Sequence, residues 1–298
     1  MTRHPLFGLA LATVATLVLT PDALLMRLSG MDGLQMVGWR GLAMGGVLLI
    51  GWAATSGDRG RDLAAMASLW GLVIVGCQFF NNILFSTGIA AAPVPVVLFG
   101  VATVPVFSAL LARLLIGEPT RPSTWVTICA VLTGIGIAVF GGEAELRLDR
   151  GALFGALAGL GVALSLALNF VVLRAQGGLP IPLTVGVGSL LAGLTGLAVT
   201  GPAAMTDGTV WAILVAGAVI LPFSFFGLSL AARYTHASNV SLLMLLETVL
   251  GPLWVWLGVG EEPTPAMLLG GAIVVGSLAV YLWTAGRRAR RRGRAAAR

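Results

Sequence analysis

The sequence consists of long apolar runs joined by short polar connections, and this pattern restricts the folds open to it. The hydrocarbon core of a membrane is about 30 Å thick, so a helix that crosses it needs about 20 mostly apolar residues. Ten runs reach about that length, and no stretch shows the strand-like alternation of a membrane barrel. We expect crossings at Leu6–Leu28, Gln35–Thr55, Leu63–Ser86, Val94–Ile116, Ser123–Gly141, Gly151–Arg174, Pro182–Thr200, Thr209–Ala232, Asn239–Gly258 and Ala266–Ala285.

The composition agrees with a chain whose surface faces lipid. Charged residues make up 10% of the 298 residues, whereas a soluble domain carries about 25%. We therefore predict an all-α integral membrane protein with ten transmembrane helices. The first apolar run follows Arg3 but lacks a clear small-x-small cleavage site, so we expect an uncleaved helix rather than a signal peptide.

The arginines indicate the orientation, because the chain contains no lysine. With the N-terminus in the cytoplasm, fourteen of the 18 arginines fall in cytoplasmic segments and three in outer segments. This asymmetry favours N- and C-termini that are both cytoplasmic. Half of the fourteen lie in the tail from Arg287 to Arg298. A basic tail behind a last helix is typical of contact with anionic lipid headgroups, which we prefer here to nucleic-acid binding.

The two halves of the chain repeat each other. A shift of 147 residues aligns Leu6-Phe7-Gly8 with Leu153-Phe154-Gly155 and Asp22 with Asn169, and a shift of 144 aligns the Glu-Pro-Thr at 118–120 with that at 262–264. We predict two five-helix repeats, 1–145 and 146–286, followed by a basic tail, 287–298. Because five is odd, the second repeat is inverted in the membrane, and inverted repeats are typical of transporters with a central site. Locally, each Glu-Pro-Thr is a helix-end turn.

These features resemble one known family. Each half opens with LFG and closes with a GEPT or GEEPT turn before a Gly-rich helix. The segment STGIAAAPVPVVLFGVATVPVFSALLARLLIGEPT is similar to sequences of the EamA-type branch of the drug/metabolite transporter superfamily. The chain looks most like the bacterial aromatic amino-acid exporters of that family. The resemblance implies a multi-pass protein of the bacterial inner membrane that exports Phe, Tyr or Trp. It also implies a central cavity formed by helices one, three, four, six, eight and nine.

A polar face runs along the third predicted helix. Gln78, Asn81, Asn82 and Phe85 stand at i, i+3, i+4 and i+7, which places them on one side of a helix. Carboxamides without partners are too costly to face lipid. They either contact a substrate in a wet cavity or bond a neighbouring helix.

The second half offers aromatic and hydroxyl groups where the first offers amides. The 144-residue shift moves the amide face onto the eighth helix, where Phe225 and Ser229 stand, and it moves Thr103 onto Glu247. Such a cavity suits a Phe, Tyr or Trp substrate, although each ring could equally serve helix packing. The expected substrate-binding residues are Gln78, Asn81, Asn82, Phe99, Thr103, Asn169, Phe225, Ser229, Glu247 and Trp254.

Glu247 is the sole acidic residue well inside a predicted helix. An acid at a helix centre costs about 2.5–3.5 kcal/mol, so it should face the protein interior. It could relay protons for antiport, pair with a substrate ammonium, or act as a protonated structural donor. Asp22 is a second possible coupling residue, and both Asp22 and Arg40 could lie at the interface with their charges directed to water. The expected bending points are Pro21, Pro105, Pro222 and Pro252.

Other classes of function find little support in the sequence. His4 and His236 stand outside the predicted helices, and the chain has neither an HExxH motif nor a glycine-rich phosphate loop. We therefore expect no metal, no cofactor, no intramembrane enzyme activity and no ATP hydrolysis. Efflux of drug-like cations or another metabolite is the alternative substrate class. Internal packing explains the GxxxG patterns at Gly41–Gly45 and Gly155–Gly159, so we expect a monomer.

Overall fold

The structure, a computed structural model, describes residues 5–92, 94–141, 150–260 and 264–296. The regular elements in these ranges are all helical, and no strand occurs among them. A 3₁₀ turn at Ala204–Thr206 precedes α11, and a π-helical turn at Ala216–Ile220 joins α11 to α12. The α-helices are α1 Pro5–Leu19, α2 Asp22–Ser29, α3 Gly33–Thr55, α4 Arg59–Met66, α5 Leu69–Ala91, α6 Val94–Val101, α7 Val104–Ile116, α8 Pro122–Phe140, α9 Arg150–Ala175, α10 Ile181–Thr200, α11 Val210–Val215, α12 Leu221–Ala232, α13 Ala237–Met244, α14 Leu246–Val259 and α15 Pro265–Ala296.

Nine helical segments of the described chain are long and apolar enough to cross a membrane. This architecture agrees with the predicted all-helical membrane protein. Nine spans are one fewer than the ten predicted, because the apolar part of the fifth run, Pro122–Ala138, is shorter than the other spans. The nine are Phe7–Ser29, Gly33–Thr55, Leu69–Ala91, Val96–Ile116, Arg150–Ala175, Ile181–Thr200, Val210–Ala232, Ala237–Val259 and Pro265–Thr284. Below, each span keeps the number of the predicted run that it matches, so α8 is the fifth.

The third span begins later than the sequence predicts. Hydropathy suggested a start at Leu63, but that residue belongs to the separate helix α4, and α5 starts at Leu69. The Asp58 side chain caps α4 by accepting a hydrogen bond from the backbone N–H of Arg61. The Ser68 hydroxyl caps α5 in the same way. Two caps ten residues apart therefore divide what hydropathy treats as one run.

Among the spans that the structure describes, four are interrupted along their length. The first span breaks between α1 and α2, where Pro21 stands. Proline lacks a backbone N–H, and its ring clashes with the carbonyl four residues earlier, so a helix bends or ends there. Pro105 lies just after the break between α6 and α7, and Pro222 just after the π-helical turn of the eighth span. The ninth span breaks at Leu245, seven residues before Pro252, which lies within α14.

The fourth and ninth spans break through the same backbone pattern. In each, two N–H groups that stand three residues apart donate to carbonyls three residues earlier, a tighter spacing than the four residues of an α-helix. The turns therefore offset the helix on either side by the same local geometry. The bonds, donor first, are Thr103–Gly100 at 3.1 Å, Val106–Thr103 at 2.9 Å, Leu245–Leu242 at 3.2 Å and Thr248–Leu245 at 3.2 Å.

Helices α3 and α10 pack closely along a line of glycines. A Cβ on Gly41 would stand 2.4 Å from the Gly193 nitrogen, so the two backbones touch directly. The pattern at Gly155–Gly159 is also internal, since a Cβ on Gly159 would stand 2.3 Å from the Val97 carbonyl oxygen. Small residues allow such close approach between membrane helices. Both GxxxG patterns thus pack within the chain, while the monomeric state stays a prediction.

The outer surface is apolar around the helices. Ile50, Leu114 and Leu257 are 71%, 79% and 73% exposed, which suits contact with lipid tails. Helix α15 continues past its membrane segment, and the Arg287 guanidinium lies 3.7 Å from the centre of the Trp283 ring. The predicted lipid contact of the tail concerns side chains from residue 288 onward, which lie outside the described part.

Polar contacts between loops define two ends of the helix bundle. At one end, which we call the Glu118 end, Arg174 Nη2 donates to Glu118 Oε1 at 2.9 Å, and His236 Nδ1 lies 3.2 Å from the same oxygen. This contact joins the connections after the fourth and eighth spans to the last turn of α9, the sixth span. At the opposite end, the Met205 end, Trp39 Nε1 donates to the Met205 carbonyl at 2.7 Å. The GEEPT turn and the linker before α9, at 261–263 and 142–149, lie outside the described residues.

Candidate functional site

A cavity lies between the two ends, at the level of the four helix interruptions. Its volume is about 40 Å³, which holds a few water molecules but not an amino acid. The structure therefore describes a conformation in which this site is nearly closed. The walls come from the first, third, fourth, sixth, eighth and ninth spans, the six that the resemblance implied, and also from α3. The lining residues are Leu19, Asp22, Arg40, Asn81, Asn82, Phe85, Ser86, Leu98, Val101, Val162, Leu166, Leu221, Phe225, Met244, Leu245, Glu247 and Thr248.

A buried ion pair forms part of the cavity wall. Arg40 Nη1 donates to both carboxylate oxygens of Asp22 at 2.8 Å, and the two side chains are 6% and 2% exposed. Asp22 occupies the first turn of α2, where the helix dipole favours an acid. The guanidinium carbon of Arg40 also lies 5.7 Å from the centre of the Phe85 ring.

This pair corrects the interfacial placement of Asp22 and Arg40. Neither side chain reaches toward water at the membrane surface, because each has the other as its partner. An isolated buried charge would be very unfavourable, whereas a hydrogen-bonded pair offsets much of the cost of leaving water. The break after Leu19 places Asp22 at the start of α2, where its carboxylate is bonded by Arg40 of α3.

Glu247 faces the same cavity from the ninth span. It stands in the first turn of α14, directly after the interruption at Leu245, and its side chain is half-buried. The charges of Asp22 and Arg40 both act on it. Helices α2, α3 and α14 therefore bring three ionisable side chains to one small space.

The amide face of α5 is divided between the cavity and a neighbouring helix. Asn81 and Asn82 line the cavity, as does Ser86, four residues after Asn82. The Asn82 amide donates to the Gln78 carbonyl at 2.9 Å and lies 3.5 Å from the Ser189 hydroxyl of α10. Gln78 is buried outside the cavity lining. Both interpretations of this face, cavity contact and interhelical contact, thus describe part of it.

Six of the ten predicted site residues are absent from the cavity lining, and Phe99, Thr103 and Trp254 among them have other partners. Phe99 packs edge-to-face on Phe140, with ring centroids 5.1 Å apart. The Thr103 hydroxyl bonds the Gly100 carbonyl at the interruption of the fourth span. Trp254 Nε1 donates to the Thr20 hydroxyl at 2.9 Å and so joins the ninth span to the first.

Asn169 and Ser229 lie between the cavity and the Glu118 end. Both are buried, and their side-chain polar atoms have no hydrogen-bond partner among the described residues. Ser108 on the fourth span is in the same situation. A buried polar group without a partner costs about 1–3 kcal/mol. These three sites mark a packed segment that contains polar side chains without a partner among the described residues.

The Glu118 end carries a cluster that sequence reasoning treated only as a turn. The hydrogen bond from His236, opposed by partial burial and supplemented by Arg174, lowers the pKa of the Glu118 carboxyl from 4.5 to about 2. Arg233 adds a hydrogen bond to the Leu179 carbonyl at the same end. The cluster holds the end of the fourth span against the connections after the sixth and eighth.

Sequence reasoning missed the pairing of Asp22 with Arg40 and the cavity contacts of Ser86 and Thr248. Ser86 continues the i+4 spacing from Asn82, so the period of α5 could have identified it. Among the residues that the structure describes, no three His, Cys, Asp or Glu side chains gather as metal ligands would.

Comparisons with known proteins place the chain among transporters. The profile of the EamA-like transporter family matches residues 6–140. A protein of Streptantibioticus cattleyicolor, described as a probable terminal-alkyne amino-acid exporter, is 30% identical over 244 residues, 77% of each chain. The uncharacterized transporter YdfC of Bacillus subtilis is 26% identical over 240 residues, 80% of this chain and 78% of its own.

A solved crystal structure shares the fold. It superposes with a TM-score of 0.76 at 18% sequence identity and covers 94% of this chain and 97% of its own. The profile match includes the segment of the third and fourth spans on which the resemblance was based. The chain belongs to the EamA-like transporter family, as its sequence predicted, and the names of the family and of the relatives are those of transporters rather than enzymes.

Proposed function

We propose that the chain is a secondary exporter of amino acids that moves its substrate by alternating access through the central cavity. The composition of that cavity carries the proposal. An ion pair, a carboxylate and two amides meet an apolar wall that includes Phe85, Phe225 and Met244. The polar groups suit the charged end of an amino acid, and the apolar wall suits a large side chain such as that of Phe, Tyr or Trp. The description of the S. cattleyicolor relative as an amino-acid exporter supports the substrate class.

The proposal includes two inverted halves, residues 1–145 and 146–286. The interruptions centred on Thr103 and Leu245 support it, because they share one hydrogen-bond pattern and stand 142 residues apart, close to the sequence shift of 144. Inverted repeats that contribute interrupted helices to a central site are typical of secondary transporters.

Ten crossings require that α8 also spans the membrane. Its 19 residues extend about 28 Å at 1.5 Å per residue, close to the thickness of the hydrocarbon core. It packs along α15, where a Cβ on Gly134 would stand 2.8 Å from the Gly270 carbonyl oxygen. With ten crossings and the observed arginine distribution, both termini and the Glu118 end face the cytoplasm of a bacterial inner membrane. We further propose a monomer whose basic tail binds anionic lipid.

Alternating access requires that the Glu118 end open toward the cytoplasm. The small cavity and the cluster around Glu118 support a conformation that is closed at this end. The buried side chains of Ser108, Asn169 and Ser229, which have no partner among the described residues, lie along the closed segment. Opening would offer their polar atoms hydrogen bonds with water, which favours a second conformation.

We propose Glu247 as the residue that couples export to protons, because Asp22 is already paired with Arg40. The test uses proteoliposomes loaded with tryptophan, with and without an imposed pH gradient. Glu247→Gln should abolish export driven by the gradient and leave tryptophan–tryptophan exchange intact at saturating tryptophan. Asp207→Asn, a change at an exposed carboxylate, is the control. Coupling through Glu247 is refuted by an unchanged pH dependence in the variant.

Efflux of drug-like cations is the second candidate, since two carboxylates and one arginine face the cavity. Competition against labelled tryptophan separates the two. Unlabelled amino acids should compete, with the aromatic ones strongest, and tetraphenylphosphonium should not. Transport of the phosphonium that amino acids fail to inhibit would replace the proposal with cation efflux.

A further inference from the structure

The ion pair in the cavity engages only part of the arginine. Both hydrogen bonds to Asp22 come from Nη1 of Arg40. Nη2 and Nε do not take part in the pair, although Arg40 lines the cavity and lies beside the Phe85 ring. A guanidinium offers five N–H donors in a planar fork, and a carboxylate can occupy one edge of it while a second carboxylate occupies another.

The three charged side chains alternate in sign. Asp22 and Arg40 neutralise each other, and Glu247 lines the same cavity without a hydrogen bond to any described residue. An amino-acid zwitterion carries one carboxylate and one ammonium on the same carbon. Its ammonium complements Glu247, and its carboxylate complements the open edge of Arg40. An amine without a carboxylate uses only half of this arrangement.

We infer that Arg40 is the anchor for the substrate α-carboxylate and Glu247 the anchor for its α-ammonium, with Asp22 as the internal counter-ion of Arg40 in the empty site. The inference rests on the proposed export of amino acids. Asp22 competes with the substrate through its charge: it offsets the guanidinium and weakens the attraction of the open edge for the substrate carboxylate, so it sets how strongly the site distinguishes an amino acid from the corresponding amine. A brace that only holds α2 against α3 would have no such effect on ligand choice.

The experiment measures binding to the purified full-length protein by competition against labelled tryptophan. Three probes isolate the two charges, namely tryptophan, tryptamine, which lacks the carboxylate, and indole-3-propionate, which lacks the ammonium. Wild-type protein should bind tryptophan about tenfold or more tightly than either analogue, the factor expected for a charge-assisted hydrogen bond. Arg40→Gln should reduce the preference over tryptamine to near unity, and Glu247→Gln should do the same for the preference over indole-3-propionate.

Asp22→Asn provides the sharpest arm, because a counter-ion and a brace predict different results. If Asp22 competes with the substrate, its removal raises the affinity for tryptophan relative to tryptamine. Arg40→Lys, which keeps the charge without the fork, should retain part of the preference. Arg113→Gln changes an exposed arginine outside the cavity and should leave all ratios as they are.

Misfolding is controlled by the double variant Asp22→Asn/Arg40→Gln, which removes both charges of the ion pair together, and by thermal unfolding of each variant. The double variant should unfold like wild type and still lose the preference for tryptophan over tryptamine. If folded Arg40→Gln protein keeps that preference, or if Asp22→Asn weakens tryptophan and tryptamine equally, the anchor assignment fails while amino-acid export stands. If wild-type protein binds no amino acid, the proposed function fails and the inference falls with it.

Discussion

Replacing Glu118 with glutamine tests whether one carboxylate holds the Glu118 end together. The substitution keeps the shape of the side chain but removes the charge that accepts from Arg174 and His236. Arg174 lies in the last turn of α9 and His236 in the connection after the eighth span, so their contacts with Glu118 join three separate parts of the chain. We expect Glu118→Gln to lower the free energy of unfolding and to loosen this end.

The magnitude follows from the pKa of the carboxyl. Its fall from 4.5 to about 2 corresponds to about 3 kcal/mol at 1.36 kcal/mol per pH unit. Solvent screening reduces this value, since the side chain is 20% exposed at a water-facing end. We therefore expect a loss of about 1–2 kcal/mol at neutral pH. The asparagine variant of exposed Asp207 should lose almost nothing.

The lowered pKa also predicts how the stabilisation by Glu118 changes with pH. A carboxyl with a lowered pKa stabilises the folded state above its ordinary pKa of 4.5, and that contribution declines as the pH falls toward 2. Unfolding in mixed detergent should thus show a constant difference between wild type and Glu118→Gln from pH 7 to about pH 5. The difference should shrink at lower pH. A gap of undiminished size at pH 2, or no gap at pH 7, would contradict the reasoning.

Two further substitutions test the packing between spans. Gly41→Ala places a methyl group against the Gly193 backbone and should lower the free energy of unfolding by about 1–3 kcal/mol, whereas Gly46→Ala on the same helix meets open space and should be neutral or slightly stabilising. Equal effects of the two alanines in detergent unfolding would refute the close contact. Trp254→Phe removes the hydrogen bond to Thr20 and should cost about 1 kcal/mol, and a thermal midpoint identical to wild type would exclude that bond.

The sequence predicts best what repeats within one helix. The amide face of α5 could be identified because Asn81, Asn82 and Phe85 follow the helical period, and all three line the cavity. The ion pair of Asp22 and Arg40 could not be identified in this way, because the two residues stand 18 positions apart on different helices. Hydropathy presents each charge as an isolated cost, and the interface is then the cheapest position for it.

The helix interruptions are likewise predictable only where a single residue causes them. Three of them lie beside prolines, so the covalent reason is visible in the sequence. The ninth span breaks at Leu245, where no proline or glycine marks the place. Only the repeat register, which sets Glu247 opposite Thr103, points to that region. The break follows from the surrounding packing, which a single sequence does not display.

The bare contact between α3 and α10 has a mechanical consequence. Helices that interlock through side chains resist sliding, because ridges of one must leave the grooves of the other. At Gly41 and Gly193 neither helix has a side chain that could form a ridge. The crossing point can therefore act as a pivot, about which one helix rotates against the other while the distance between their axes stays fixed.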